Sequence, residues 1–434
     1  MNTPKRVCVI GAGPSGIAAA KNLLDQELAV TVYDYGKEVG GNWVFSDQPS
    51  HSSVFETTHI ISSKTLSQYD DFPMPAEYPD YPSHQQLAAY FQSYARHFNL
   101  YPHIEFETTV VKCELDQNNK WKITTSKNGK ITTTFFDALA VCNGHHWKPR
   151  YPEYPGTFAG KLMHSHDVKR FGIFADKRVL VIGGGNSACD VAVESCRVSS
   201  HTDISWRRGY WVVPKFIFGK PTDTIGGFLR HLPPVIWRKT TGAMIRTFQG
   251  RNESYGLPEP EADFGFHHPT LNSELFYFIR HGKIKPRPDI KRYDGSTVIF
   301  KDGTSADYDI IVACTGFYIS HPFFDEAFID YSKGEVPLYL RMLHPTISNL
   351  YFIGMFQPLG CIWPGAELQS KIMALELAGA WKRPDNVAEL AQSEVVHPDF
   401  RQIKTPRHTI TVDYHRFRKR LLNELSRAKQ TEHA

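Results

Sequence analysis

The sequence has no apolar run long enough to span a bilayer as a helix, so an integral helical membrane protein is excluded from its reading. It also lacks any C-x-x-C pair. Its seven cysteines, at 8, 113, 142, 189, 196, 314 and 361, are scattered and odd in number. That pattern argues against a zinc site, a disulfide framework or a redox dithiol, and makes most of them small buried residues. A surplus of one charge is missing too. Lys and Arg total 49 against 45 Asp and Glu, interspersed along the chain, so no basic stripe invites nucleic acid. The one basic run, His415 to Arg420, reads as the solvated face of a terminal helix in preference to a membrane-surface segment. No leader is visible, since Lys5 to Ile10 already reads as a strand, and a cytoplasmic location is expected. What is there is a chain of 434 residues, long enough for two or more cores and expected to act on small molecules.

The chain opens with a strand from Lys5 to Ile10 and the turn Gly11-Ala12-Gly13-Pro14-Ser15-Gly16. An Ala-rich helix to about Gln26 and a second strand, Ala29 to Asp34, follow. Residues 50–82 show little periodicity, and long irregular stretches of this kind tend to be functional loops. Ser83 and Gln86 have capping-box spacing at the head of a helix that presents Leu87, Phe91, Tyr94 and Phe98 on one face. Residues 104–142 alternate as an antiparallel meander, with a hairpin at Asn128-Gly129, and end in the apolar strand Ala138 to Cys142 before Asn143-Gly144. A Pro-rich linker, Lys148 to Gly156, marks a boundary. Beyond it the opening pattern repeats: a strand Arg178 to Ile182, the turn Gly183-Gly184-Gly185-Asn186-Ser187-Ala188, a helix to about Cys196, and a strand Asp203 to Trp206. Residues 210–270 are rich in Gly, Pro and aromatics without a clear period, an insertion suited to covering a pocket. The strand Ile310 to Cys314, ending at Thr315-Gly316, echoes the one that ends at Gly144, as if both returned to one sheet.

These patterns predict an α/β fold with two Rossmann-like dinucleotide-binding domains, the second inserted in the first. The expected division is 1–155, then 156–305 carrying the insertion at about 210–270, then 306–434 returning to the first domain with C-terminal helices. Glycines at 11, 13 and 16 permit a tight turn, close backbone approach and a helix N-terminus against a pyrophosphate, with Asp34 placed for a ribose hydroxyl. At the second turn Gly183, Gly185 and Ala188 do the same, but the next strand ends in Trp206-Arg207-Arg208. Arginines there suit a 2′-phosphate and an acid would repel it, so NADPH is favoured over NADH. Two such sites in one chain imply electron transfer between two cofactors. Gly144 and Gly316 would let backbone approach the first cofactor, and Gly40-Gly41-Asn42-Trp43 lies where a flavin and its ribityl chain would run. No redox cysteine pair follows, which excludes a flavin disulfide reductase.

The motifs resemble the flavin-containing monooxygenases that bind FAD and NADPH in separate domains. Phe158-x-Gly160-x-x-x-His164 resembles the linker fingerprint, Gly185-Asn186-Ser187 with Asp190 the NADPH turn, and Ala313-Cys314-Thr315-Gly316-Phe317 a second linker motif. The stretch from Gln357 through Ile362 and Pro364 to Gln369 is similar to the animal enzymes. The resemblance implies that FAD is held by Gly11, Gly13, Pro14, Ser15, Gly16, Asp34, Gly41, Asn42, Trp43, Ile61, Ser62, Gly144 and Gln357. It implies NADPH at Gly183, Gly185, Asn186, Ser187, Asp190, Arg207, Arg208 and Thr315. NADPH would reduce FAD, O2 would add as a C4a-hydroperoxide, and an amine nitrogen or a sulfur of a small substrate would take the distal oxygen in a dry pocket. A helix after Pro364 would aim its positive end at the reduced ring.

Two positions depart from the family pattern. Val168 replaces the usual aromatic after His164, and Ile61 aligns with an Asn that lies by the flavin. Ser62 and bound NADP+ are therefore expected to do more of the stabilising, and His164 to position the two domains. Pocket residues are expected from the 50–82 loop, the 210–270 insertion and Trp363. Oxygen insertion beside a carbonyl, as in Baeyer-Villiger or 2-oxo acid chemistry, stays open as an alternative, as does an NADPH oxidase releasing hydrogen peroxide. So does a nucleotide-sensing regulatory protein without turnover, and a homo-oligomer is compatible with all of them.

Overall fold

The computed structural model describes residues 4–48, 50–225, 232–266, 268–332, 335–396 and 409–431. Both repeated units form. In the first, the strand Arg6–Ile10 runs through the glycine turn into the helix Pro14–Leu24 and on to the parallel strand Ala29–Tyr33. Alternate residues of the first strand feed two different cores: Val7 and Val9 pack under the helices, while Cys8 and Ile10 pack under the meander. Burial on both faces is why the strand reads as a continuous apolar run. The sheet is wholly parallel, in the order Leu350–Phe352, Ala138–Val141, Arg6–Ile10, Ala29–Tyr33, Ile104–Glu105.

The second unit is the strand Arg178–Ile182, the helix Asn186–Ser195 and the strand His201–Ser205. Its parallel sheet runs Ile284–Arg287, His201–Ser205, Arg178–Ile182, Ile310–Ala313, Lys161–His164. This topology corrects one expectation. Ile310–Ala313 does not return to the first sheet but lies inside the second, with Val312 beside Val181. The strand that completes the first sheet is Leu350–Phe352, against Ala138–Val141, well beyond the boundary expected at 306. A strand buried on both faces carries no mark of which sheet it joins, and a three-residue strand leaves almost no pattern.

The helix His84–His97 starts as read: Ser83 Oγ accepts from Gln86 N at 3.3 Å, and Gln86 Oε1 accepts from Ser83 N at 2.9 Å. The meander is narrower than expected. It comprises Thr109–Leu115, Trp121–Lys127 and Lys130–Phe136, and its second hairpin turns on Asn128 (φ 51°) and Gly129 (φ 79°), while Ile104–Glu105 joins the parallel sheet. The insertion contains the helix Pro234–Gln249 and two short parallel strands, Val212–Val213 and Thr270–Leu271. Residues 226–231 and 267 of the insertion lie outside the described residues.

Toward the C-terminus, the almost wholly buried helix Trp363–Ala378 packs on Pro14–Leu24. The last helix, Tyr414–Thr431, holds the basic run. Phe417 and Leu421 enter the core, while Arg418 and Arg420 pair with Asp70 at 2.7 Å and Glu394 at 2.6 Å. Among the described residues no helix is long and apolar enough to cross a membrane, and no cluster of side chains is arranged to hold a metal ion. All seven cysteines are free thiols.

Candidate functional site

The first glycine turn is shaped by backbone contact. A Cβ on Gly11 (φ +102°) would lie 2.8 Å from the carbonyl oxygen of Cys142, and one on Gly16 would lie 1.8 Å from that of Gly11. Pro14 opens the helix, and no side chain caps its N-terminus, so its first amides and positive end are left for a ligand. Ser15 lies against Gly354, at the end of the strand that completes the sheet. Asp34 sits where the sequence placed it and also braces the turn. It accepts from Ala12 N at 2.5 Å and from Gly36 N at 2.6 Å, tying the turn to the next strand. Burial raises its pKa, and those two amides pull the other way.

Opposite the turn, Gly41 (φ +53°) comes so close that its Cβ would be 2.9 Å from the Cα of Gly13. Asn42 accepts from Ser53 N at 2.7 Å, and Trp43 meets Trp363 edge-on at 5.8 Å. At the end of Ala138–Val141 come Asn143, Gly144 (φ +68°) and His145, with Asn143 Oδ1 and His145 Nδ1 buried and unpartnered. Burial pushes the pKa of His145 down to about 4, so the ring is neutral, with Nε2 at 3.5 Å from Oε1 of Gln357. A cradle with no room for a Cβ, an uncapped helix end and buried polar atoms in need of partners are what a dinucleotide with a polar ring edge completes.

The second turn repeats this geometry. A Cβ on Gly183 (φ +129°) would lie 2.6 Å from the carbonyl oxygen of Cys314, as Gly11 lies against Cys142. Gly185 leads into Asn186–Ser195, another helix whose N-terminus no side chain caps, with Ser187 exposed and Ala188 buried. After the adjacent strand, Arg207 is exposed and Arg208 is half-buried over the Tyr210 ring at 5.6 Å, its Nε without a hydrogen-bond partner. Asp203, earlier on that strand, is committed to Arg287 at 2.6 Å and Tyr308 at 2.5 Å. Asp190, on the helix, accepts from Asn272 Nδ2 at 2.9 Å, and burial pushes its pKa up to about 6.

His164 ends the strand Lys161–His164, and Thr315 and Gly316 follow the neighbouring strand Ile310–Ala313. His164 Nδ1 accepts from His166 N at 3.1 Å and Nε2 donates to the Gly316 carbonyl at 3.0 Å, so both ring nitrogens are engaged with backbone. Burial lowers its pKa to about 4, and the ring ties the end of one strand to the segment that follows the next. Thr315 is likewise held in the linker: its hydroxyl donates to the Arg150 carbonyl, and Arg150 Nη2 donates back to the Thr315 carbonyl at 2.7 Å.

Ser62 is buried, its hydroxyl 2.8 Å from that of Ser67. It and Ile61 form one wall of a cavity of about 150 Å³. The insertion supplies much of the rest, with Val213, Asp223, Trp237, Met244, Phe264 and Leu271, and Leu359 and Gly360 close it. Sequence reasoning missed these individually, since the only signal was the aromatic richness of the insertion. Trp363, expected to line the pocket, is instead packed edge-on against Trp43 and Phe91, and its indole donates to the Ser67 carbonyl.

Comparison with known proteins agrees with this geometry. The family described as Flavin-binding monooxygenase-like matches residues 4–429. Human Flavin-containing monooxygenase 2 is 35% identical over 399 residues, covering 88% of this chain and 74% of its own. S-allyl-L-cysteine S-oxygenase from Allium sativum shares the fold with a TM-score of 0.71 at 23% identity, covering 97% of this chain and 88% of its own. OTEMO, solved in complex with FAD and NADP, has a TM-score of 0.74 at 15% identity, covering 97% and 98%. FAD and NADP(H) are the cofactors of these monooxygenases and of this chain. With two glycine turns of matching shape and these relatives, the chain belongs to the flavin-containing monooxygenase family of enzymes.

Proposed function

We propose that this enzyme binds FAD at the first glycine turn and NADPH at the second, and transfers one atom of O2 to a nitrogen or sulfur of a small, largely apolar substrate. The observation that carries this reading is the cavity. Its walls come at once from the loop carrying Ile61 and Ser62 and from the strand carrying Leu271, whose amide donates to Asn186 at the second turn. When bound, FAD would supply the oxygen activation and NADPH the electrons for it.

The chain's own residues prepare the site. Gly11, Gly13 and Gly16 bring backbone and a helix end to the first pyrophosphate, and Asp34, still holding lone pairs, meets the ribose. Gly183, Gly185 and Asn186 do this for NADPH, while Arg207 and Arg208 take the 2′-phosphate. Activated oxygen must be kept from water and stray protons. The apolar walls of the cavity keep water, and the protons it carries, away from it. Ser62, beside Ile61 on the cavity wall, is held by the hydrogen bond between its hydroxyl and that of Ser67. We place the enzyme in the cytoplasm, a reading supported by its free thiols.

The test offers the FAD-loaded protein, NADPH and air to methyl phenyl sulfide, a tertiary amine and cyclohexanone, with product analysis. Sulfoxide or N-oxide is expected. Lactone alone would transfer the reading to carbonyl-adjacent oxygen insertion, and hydrogen peroxide alone with every substrate would reduce it to an oxidase.

A further inference from the structure

Three consecutive residues at the close of the insertion reach the second glycine turn. Thr270 Oγ1 donates to the Gly184 carbonyl at 2.8 Å, Leu271 N donates to Asn186 Oδ1 at 2.7 Å, and Asn272 Nδ2 donates to Asp190 Oδ1 at 2.9 Å. They therefore hold the turn itself, the first residue of its helix and a residue one turn further on. The other edge of the same short strand pairs with Val212–Val213: Thr270 N donates to the Trp211 carbonyl at 2.8 Å, and Asn272 N to the Val213 carbonyl at 3.0 Å. Val213, His268, Pro269 and Leu271 all face the cavity. One strand is thus both a wall of the cavity and a clasp on the nucleotide turn. Asn272 is its anchor, since its Oδ1 also accepts from Glu274 N at 2.9 Å and Leu275 N at 2.7 Å.

From this clasp we infer that Asn272 is a positioning residue that couples nucleotide binding at the second turn to the order of the cavity wall. The inference rests on NADPH binding at that turn, as proposed above. A nucleotide that fixes Gly184, Asn186 and the helix fixes the partners of Thr270, Leu271 and Asn272, and the wall they belong to follows. Such coupling is reciprocal, so a filled cavity tightens the nucleotide site by the same factor. It lets this fold close its substrate pocket only around a loaded nucleotide turn.

The substitution Asn272→Asp isolates the clasp, because a carboxylate keeps the acceptor role toward Glu274 N and Leu275 N but loses the donor toward Asp190. Besides Asn272, the charged groups acting on Asp190 are Lys215, Glu194 and Glu274. At low pH one proton held between the new carboxyl and Asp190 restores a hydrogen bond at that place. At high pH two carboxylates stand where one hydrogen bond was, and the clasp opens.

The experiment follows amide hydrogen exchange in the FAD-loaded protein with and without NADP+. In the wild-type protein NADP+ slows exchange both at residues 183–190 and on the wall, at 211–214, 264–266 and 268–272, by about fivefold or more, the low end of ordinary coupling factors. Asn272→Asp keeps the wall response at pH 5.5 and loses it at pH 8, while the turn still responds. Thr270→Val, which removes one hydrogen bond with little change of shape, weakens the wall response at both pH values. Slowing at the turn but not at the wall in the wild-type protein overturns this inference alone. No slowing at either place overturns the assignment of NADPH to the second turn and this inference with it. A wall response in Asn272→Asp that is the same at pH 8 as at pH 5.5 removes Asn272 from the role.

Discussion

The two glycine turns should fail separately, and Gly183→Ala is the sharpest test of that. At φ +129° Gly183 occupies backbone space that side-chain-bearing residues rarely enter, and forcing alanine there costs about 1–3 kcal/mol. Its Cβ would also stand 2.6 Å from the Cys314 carbonyl oxygen, a backbone atom that cannot rotate away. Overpacking of this kind adds about 1–3 kcal/mol. Relief comes from moving the turn, so the cost falls on nucleotide binding. Even a total of about 2 kcal/mol weakens NADPH roughly thirtyfold. The assay is anaerobic bleaching of the flavin against NADPH concentration, with the FAD content of the purified protein measured alongside. Gly183→Ala should need far more NADPH for half-maximal reduction yet carry a full complement of FAD. Gly16→Ala, whose Cβ would lie 1.8 Å from the Gly11 carbonyl oxygen, should be purified with little or no FAD. Gly129→Ala, at the remote hairpin with φ +79° and open space around it, is the control: a loss of about 1 kcal/mol in stability and no change in either cofactor. If Gly183→Ala lost FAD and kept its NADPH affinity, or if it changed nothing, the assignment of the turns would be refuted.

Other outcomes follow from the same geometry. Arg208→Ala removes charge-assisted hydrogen bonds to a 2′-phosphate, about 1.5–3 kcal/mol, so KM for NADPH should rise roughly tenfold to a hundredfold with NADH unaffected; equal changes for both would show that Arg208 does not read the 2′-phosphate. Burial lowers the pKa of His145 and His164 from 6.5 to about 4. Because the folded-state value lies below the unfolded one, the stability tied to their neutral form is complete above pH 6.5. It drains as pH falls toward 4, by up to about 1.4 kcal/mol per pH unit for each ring. Thermal unfolding midpoints should therefore drop steeply between pH 6.5 and 4, and a flat profile there would contradict the buried, neutral assignment. Ile61→Asn places an amide on the cavity wall beside Ser62 and should lower the hydrogen peroxide released per NADPH consumed in the presence of substrate; an unchanged ratio would show that Ile61 does not border the oxygen chemistry.

Local features were the legible ones. The glycine turns, the Ser83 capping box and the Asn128-Gly129 hairpin are set by residues close in sequence, and each formed where its residues stand. Partnership between distant segments was not legible. Nothing in Ile310-Ile311-Val312-Ala313 says that it pairs with Arg178–Ile182 in preference to Ala138–Val141, since both partners are apolar and buried. The cavity was foreseen only as a place. Trp237, Met244 and Phe264 come together because the helix Pro234–Gln249 and the strand Thr270–Leu271 fold over Ile61 and Ser62, a meeting of segments far apart in the sequence. Asp34 was read for a ribose, yet its bonds to Ala12 and Gly36 show it also shaping the turn, a role that depends on contacts the motif does not spell out.

The strand Leu350–Phe352 carries a consequence for how the molecule is made. It closes against Ala138–Val141 a sheet whose other members lie within the first 141 residues. On the ribosome, a chain emerging from its N-terminus exposes the unfinished edge of that sheet while some two hundred more residues are synthesised. Every strand of the second sheet, from Lys161–His164 to Ile310–Ala313, leaves the tunnel in that interval and can assemble first. The half begun earliest is finished last, and until then its open flank at Ala138-Leu139-Ala140-Val141 is the place where a nascent chain is most exposed to mispairing.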